Sequence, residues 1–222
     1  MNKIVTEKLC PICASYTVEF YADKRRSYLL CEECGAIHVP SQHHLSANDE
    51  KAEYDKHEND VSDEGYRKFL TRMMEPLLER VEPASQGLDF GCGPGPALAR
   101  MLEERGFSMS VFDKYYANTP AALERHYDFI CATEVVEHLA APLQVFEKLW
   151  SLLKPGGVLG IMTKRVNDLE NFYRWHYKND PTHIVFFHEK TFRWIAKLLQ
   201  AELKVVSADV ILLIKPTAKT QP

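Results

Sequence analysis

Long apolar runs are missing from this 222-residue chain. None approaches the roughly 18 to 20 residues that a membrane-spanning helix requires, so no membrane span is expected. The opening residues, MNKIVTEKLCPIC, lack the apolar core of a secretory leader, and a cytoplasmic location with reduced thiols is the expectation. An excess of one charge is also missing. The 27 basic side chains stand against 31 acidic ones, a net of −4, which gives no general attraction for nucleic acid or anionic lipid. Glycine and proline, 10 and 12 residues, follow no period, which excludes collagen-like and repeat architectures. The 45% of hydrophobic residues is ordinary for a globular chain. A chain of this length buries about 70% of its unfolded surface and has room for one domain with a small attachment.

Cysteine is scarce beyond residue 34 but dense before it. Four of the six form two pairs, Cys10-x-x-Cys13 and Cys31-x-x-Cys34, the second followed by Gly35. Each short turn presents two thiolates, and four thiolates suit tetrahedral zinc, with a rubredoxin-like iron site as the alternative. A filled ligand shell makes such an ion structural. The segment resembles a zinc ribbon, with strand-like alternation between the pairs from Tyr16 to Tyr28. Asp23-Lys24-Arg25-Arg26 reads as a solvated hairpin tip or as a contact for an acidic partner. We therefore expect a module over 1–44, an acidic connector with a helical lead-in or lid over 45–82, and a main domain over 83–222.

In the lead-in, apolar residues at 66, 69, 70, 73, 74, 77, 78 and 81 predict a helix, which Pro76 should kink or divide. After Pro83, strands alternate with helices. Strands are expected at 87–90, 109–112, 129–133 and 158–163, helices at 97–105, 142–153 and 190–203, and two closing strands within 204–215, with a turn near Asp209. This order predicts an α/β fold with a mostly parallel sheet covered on both faces.

The segment LDFGCGPG, residues 88–95, lies between a predicted strand and a predicted helix. Gly91, Gly93 and Gly95 can take positive φ and let a ligand approach the backbone and the helix N-terminus. Asp113, 18 residues beyond Gly95, ends the next strand, where a carboxylate can accept hydrogen bonds from a ribose diol. The spacing departs from the Gly-x-Gly-x-x-Gly fingerprint of a dinucleotide site, which favours a nucleoside cofactor without phosphates.

These motifs resemble the class I S-adenosylmethionine-dependent methyltransferases. YDFICATEVVEHL (127–139) is similar to the family's fourth strand and the loop after it, and LLKPGGVLGIMT (152–163) to its helix, turn and fifth strand. The resemblance implies a Rossmann-like sheet with an antiparallel C-terminal strand pair. It also implies S-adenosyl-L-methionine as cofactor, with Asp89, Gly91, Gly93, Gly95, Asp113, Thr133 and Glu134 around it. Asp89 would reach the cofactor amine through solvent, and Asp113 would hold the ribose hydroxyls. One departure stands out. Only 14 residues separate Asp113 from the next buried strand, where the family usually has a helix and a third strand, so no residue is assigned to adenine.

Glu134, Glu137 and His138, with His183 as a further member, are similar to the ligand set of methyltransferases that bind a divalent ion beside an acceptor diol, including ubiquinone-pathway and RNA 3′-end enzymes. Mg or Mn would be the ion. The alternative is that Glu134 lines the cofactor pocket, His138 caps or packs a helix, and Glu137 faces solvent. His183 and His57 are the candidate bases. Tyr54, Tyr66, Tyr173, Trp175, His176 and Tyr177 lie in two segments that could close over the acceptor. The acceptor is expected to be a small molecule methylated on O or N. Nucleic acid is disfavoured by residues 46–83, which carry 6 basic and 11 acidic side chains. The competing reading is a non-catalytic adaptor, or an RNA or protein methyltransferase, that keeps this fold and binds its partner through the cysteine module.

Overall fold

A computed structural model describes residues 8–56 and 60–217. In chain order its regular elements are β1 (Val18–Ala22), β2 (Ser27–Leu30), β3 (Ile37–His38), α1 (Ala47–Tyr54), α2 (Glu64–Leu78), β4 (Gln86–Phe90), α3 (Ala97–Glu104), β5 (Ser108–Phe112), β6 (Tyr127–Thr133), α4 (Pro142–Leu152), β7 (Leu153–Met162), β8 (Val185–Phe186), α5 (Glu189–Leu199), β9 (Glu202–Val205) and β10 (Val210–Ile214).

Six strands form the main sheet in the order β5-β4-β6-β7-β10-β9. The pairs β4/β5, β4/β6 and β6/β7 are parallel, and β10 runs antiparallel to both β7 and β9. The mixed α/β class with an antiparallel C-terminal pair is thus the observed one. β6 shows why its apolar run is continuous: Phe129 and Cys131 pack with α2 and α3, while Ile130 and Ala132 pack with α4 and α5 on the other face.

In α2 the buried Leu70, Met73, Met74 and Leu77 recur at helical spacing, and Asp63 caps the first turn by accepting from Tyr66 N. Pro76 does not divide this helix. It sits in the last turn, where it removes only one donor before the helix ends at Leu78. The helix expected to reach Leu203 stops at Leu199, because Gln200 turns left-handed at φ 54°, and Leu203 belongs to β9.

The N-terminal strands join a second sheet, β1-β2-β3-β8, all antiparallel, whose fourth strand comes from beyond residue 180. Cys31, Ile37 and Tyr28 accordingly belong to the same apolar cluster as Phe186, Phe192 and Ile130. The shortened segment after Asp113 holds an Asp113–Ala117 bridge and a 3-10 turn over Pro120–Leu123, so β5 is a sheet edge.

Gly87 marks a tight point in this packing: a Cβ there would lie 2.3 Å from the Phe129 ring and 2.7 Å from Met109 Sδ. Gly87→Ala should destabilise the protein by about 1–3 kcal/mol through overpacking, read from urea unfolding midpoints.

Candidate active site

β4 ends at Phe90, and the chain turns through Gly91 and Gly93 at φ 76° and 64°. The turn is held from both sides. Gly91 N donates to Phe112 O at 2.7 Å, and a Cβ on Gly91 would meet Val135 Cγ2 at 2.4 Å, so only glycine fits there. The Asp113 carboxylate accepts three backbone hydrogen bonds, from Gly93 N at 3.0 Å, Tyr115 N at 2.7 Å and Tyr116 N at 3.1 Å. It ties the end of β5 to the glycine turn.

Two expected members of this group stand elsewhere. Gly95 has no positive φ and lies off the cavity wall. Asp89 is buried behind the turn, where its carboxylate accepts from Ala99 N at 3.3 Å. That bond serves the first turn of α3, whose N-cap Pro96 offers no side-chain acceptor. Burial pushes the Asp89 carboxyl up to about 7, against the pull of the Ala99 amide.

The ends of β4, β5 and β6 open on a cavity of about 640 Å³. This is the carboxyl edge of the parallel strands, where ligands bind in open α/β sheets. One side is formed by Phe90, Gly91, Gly93, Asp113 and Thr133 to Val135. Phe112, Lys114, Tyr115 and Tyr116 extend it. The motifs assign these last four no role, although the two tyrosines after Asp113-Lys114 were a usable signal. α1 has no buried residue and lies over the cavity through polar contacts. The Tyr115 hydroxyl donates to Glu50, Lys114 Nζ to Glu50 at 3.3 Å, and Tyr116 OH to Asp55 at 2.6 Å.

The far side carries the acids and imidazoles. Glu134 takes φ 53° directly after β6 and lines the cavity. Glu137 does not face solvent as its place in the motif allowed: it is fully buried and off the wall, because Tyr177 and the Ile184 amide cover it. The Tyr177 hydroxyl lies between the two carboxyls, in contact with Glu137 and 3.2 Å from Glu134 Oε2. Glu134 Oε1, Glu137 Oε2 and Thr133 Oγ1 are buried without a partner. Burial pushes Glu134 up to about 8, with the Glu137 charge adding to it, and Glu137 up to about 7.

His138 Nδ1 lies 3.2 Å from Thr182 O, and His183 Nδ1 lies 2.8 Å from Tyr177 O. Carbonyl oxygens only accept, so Nδ1 carries the proton in each ring and Nε2 keeps its lone pair. Burial lowers both, His183 to about 4, so both are neutral at pH 7. One ligand atom from each of Glu137, His138 and His183 lies within 4.8 Å of the others, a grouping that excludes Glu134. Tyr54 and Tyr66 line the cavity, whereas Tyr173, Trp175, His176 and Tyr177 do not. Burial within the wall claims Tyr177, and Tyr173 is half exposed. His57 lies outside the described residues.

The four N-terminal cysteines also converge. Their sulfurs lie within 4.8 Å of one another, with Cys10–Cys34 at 3.5 Å and Cys13–Cys31 at 3.3 Å. Tetrahedral bonds of about 2.3 Å would place sulfurs about 3.8 Å apart, close to what the side chains adopt. The Cys34 thiol beside it lowers Cys10 to about 6, while burial raises Cys31 to about 11. Thiols this close cannot all ionise without a cation, so the donor set fits a thiophilic metal.

The sequence matches a family described as methyltransferase domain over residues 62–208. It is 26% identical over 95 residues to the ubiquinone biosynthesis O-methyltransferase of Actinobacillus pleuropneumoniae serotype 5b (strain L20), a match spanning 41% of each chain. Among solved structures, the 1,6-didemethyltoxoflavin-N1-methyltransferase of Burkholderia thailandensis, with bound 1,6-didemethyltoxoflavin and S-adenosylhomocysteine, is similar in fold. Its TM-score is 0.53 at 15% identity, over 89% of this chain and 99% of that one. A complex of the Haloferax volcanii Trm112 methyltransferase activator with a methyltransferase gives 0.51 at 13% identity, over 74% and 98%.

The buried carboxyls set a pH dependence. A carboxyl raised from 3.8 to about 7 holds its proton in the native state after the unfolded chain has released it, so stability falls as pH rises from about 4 to 7. Asp89→Asn should match the parent near pH 4.5 and exceed it by up to a few kcal/mol at pH 8, in urea titrations at both values.

Proposed function

We infer the reaction from one premise: this chain belongs to the methyltransferase-domain family. It is an S-adenosylmethionine-dependent methyltransferase of that family, and we propose that it methylates an O or N atom of a small molecule. The observation that carries this reading is the meeting of the Gly91–Gly93 turn, Asp113 and Glu134 at the carboxyl ends of three adjacent parallel strands, on one side of a closed-over cavity. A cavity of about 640 Å³ suits small molecules.

The residues fit the cofactor. The backbone of Gly91 and Gly93 would hold its methionine part, Asp113 its ribose hydroxyls, and Phe112 with Tyr115 and Tyr116 its adenine. Bound S-adenosylmethionine supplies a methyl group on a sulfonium, already activated toward a nucleophile. The chain's own work is alignment, an effect worth about 7–11 kcal/mol. His183 and His138, neutral with free Nε2 lone pairs, accept a hydrogen bond from the acceptor and orient it. Their low proton affinity makes them poor bases. Glu134, with an unpartnered oxygen and a carboxyl raised to about 8, holds its proton through most of the neutral range and becomes a proton acceptor for the methyl acceptor as pH rises toward and past 8. Residues 1–44 form a zinc-ribbon-like module with structural zinc on Cys10, Cys13, Cys31 and Cys34, residues 45–82 the lid and lead-in, and 83–222 the core.

S-adenosylhomocysteine should bind the zinc-loaded protein with micromolar affinity in calorimetry. Asp113→Ala should weaken it by about 10- to 100-fold, through the loss of the ribose contact together with the three amide bonds that hold the glycine turn in place. No binding at millimolar ligand in the folded protein would transfer the assignment to a non-catalytic adaptor.

A second reading rests on the unpartnered Glu137 Oε2 beside two imidazoles. These three would hold a divalent ion, which supplies Lewis acidity toward an acceptor hydroxyl. One carboxylate with two nitrogens suits Mn²⁺ better than Mg²⁺. Calorimetry of the S-adenosylhomocysteine complex should show Mn²⁺ binding at least about tenfold tighter than Mg²⁺, abolished by Glu137→Gln. Equal or absent binding leaves the metal-free reading alone.

A further inference from the structure

Of the basic tip between the two cysteine pairs, Arg26 is neither solvated nor free for an outside partner. It is 8% exposed, and its guanidinium faces the loop after residue 177. Nη1 donates to Pro181 O at 3.2 Å, Nη2 to Asp180 O at 2.8 Å and to Lys178 O, and Nε to Tyr28 OH at 3.0 Å. Four of its five N–H donors are used on one turn and on the strand that leads into Cys31. Around this anchor, Lys178 Nζ pairs with Asp23 at 3.2 Å, Arg25 Nη1 reaches Asn179 O at 3.3 Å, and Val39 N donates to Ile184 O at 2.8 Å.

The same loop continues as the far wall of the cavity. Asp180 to Ile184 line it, Thr182 O receives the His138 ring, and Ile184 N donates to Glu137 O at 2.8 Å. The wall opposite the glycine turn therefore hangs between the cysteine module and the segment after β6. None of Arg26's contacts touches Gly91, Gly93 or Asp113.

We propose that Arg26 is a positioning residue for the methyl acceptor: through the carbonyls of Lys178, Asp180 and Pro181 it fixes the wall bearing Thr182 and His183, and the cysteine-bound ion controls that wall through it. The proposal rests on the acceptor occupying this end of the cavity, as in the proposed function. A planar fork meets three carbonyls that a lysine ammonium on a flexible stem cannot serve together. Coupling between the cysteine module and the wall is reciprocal, and the cofactor end is left out of it.

The test uses the zinc-loaded full chain, Arg26→Ala, Arg26→Lys and, as a control at the exposed Lys24 of the same tip, Lys24→Ala. Amide exchange over 182–186 should rise about tenfold or more in Arg26→Ala, be partly restored in Arg26→Lys and stay unchanged in Lys24→Ala. S-adenosylhomocysteine affinity should stay within about twofold in all of them. Removing zinc from the parent with a chelator should loosen the same amides with the same indifference of the cofactor site. The His183 Nδ1–H resonance, protected in the parent, should exchange rapidly in Arg26→Ala. In turnover with any accepted substrate, its KM should rise about tenfold while KM for S-adenosylmethionine holds.

Unchanged exchange over 182–186 in Arg26→Ala overturns the proposal, as does exchange rising equally over 87–93 and 129–135 with a parallel loss of cofactor affinity. Intact protection after zinc removal overturns the link to the ion. If Arg26→Ala does not fold, Arg26→Lys and the chelated parent decide. Failure of every protein to bind S-adenosylhomocysteine rejects the methyltransferase reading instead, while the exchange data still report on Arg26.

Discussion

The active-site side of this protein depends on the backbone at the end of β4. Gly91 is wedged between the Phe112 carbonyl, which accepts its N–H, and the Val135 side chain, which fills the place of a Cβ. Any other residue would push β5's end and the loop after β6 apart. Asp113 and Glu134 would then no longer face one cavity, since each is placed by the strand it follows. The Asp113 carboxylate reinforces the arrangement by spending three lone-pair positions on neighbouring amides. The site is therefore largely built before a ligand arrives, which is the condition for a positioning enzyme.

The opposite side follows a different logic. Its walls come from residues distant in sequence, held by side chains as well as by backbone pairing: Arg26 on three carbonyls, His138 on Thr182, His183 on Tyr177 and α1 through the tyrosines after Asp113. The missing helix and third strand leave β5 as an edge, so the short loop bearing Tyr115 and Tyr116 can reach up to α1. A polar lid without buried residues is less strongly held than the sheet beneath it. The geometry thus separates a side held by backbone bonds around the glycine turn from a side held largely by side chains.

This division explains what could be read from the sequence. The glycine turn, the acid 18 residues on and the strand-helix alternation are local signals, and the local backbone carries them out. β8 has two residues, too few for any period, and its pairing with β3 spans some 150 positions. Arg26 looked like a solvated tip because the carbonyls that bury it lie beyond residue 177. α5 stops early although Leu203 extends its apolar spacing, since the left-handed Gln200 diverts the chain into β9. Asp89 falls in the motif, yet its carboxylate turns inward because α3 begins behind a proline that cannot cap it. In each case the deciding partner lay outside the window over which periodicity and motif spacing operate.

The acidic interior gives the last constraint. Asp89, Glu134 and Glu137 are buried wholly or in part, and burial raises their carboxyls toward neutrality, with the Asp113 charge adding to Asp89, the Glu137 charge adding to Glu134 and Lys164 opposing the rise at Glu134. Such carboxyls weaken the fold at neutral pH, and a chain optimised for stability alone would replace them with apolar side chains of similar volume. Asp89 repays its place by capping α3. Glu134 and Glu137 share the Tyr177 hydroxyl, and among the described residues Glu134 Oε1 and Glu137 Oε2 have no hydrogen-bond partner. One of these two carboxyls lies on the wall and the other behind it, with the Tyr177 phenol between them. Their burial keeps two neutral or singly charged acids beside the cavity at a cost in stability that apolar side chains of similar volume would not carry.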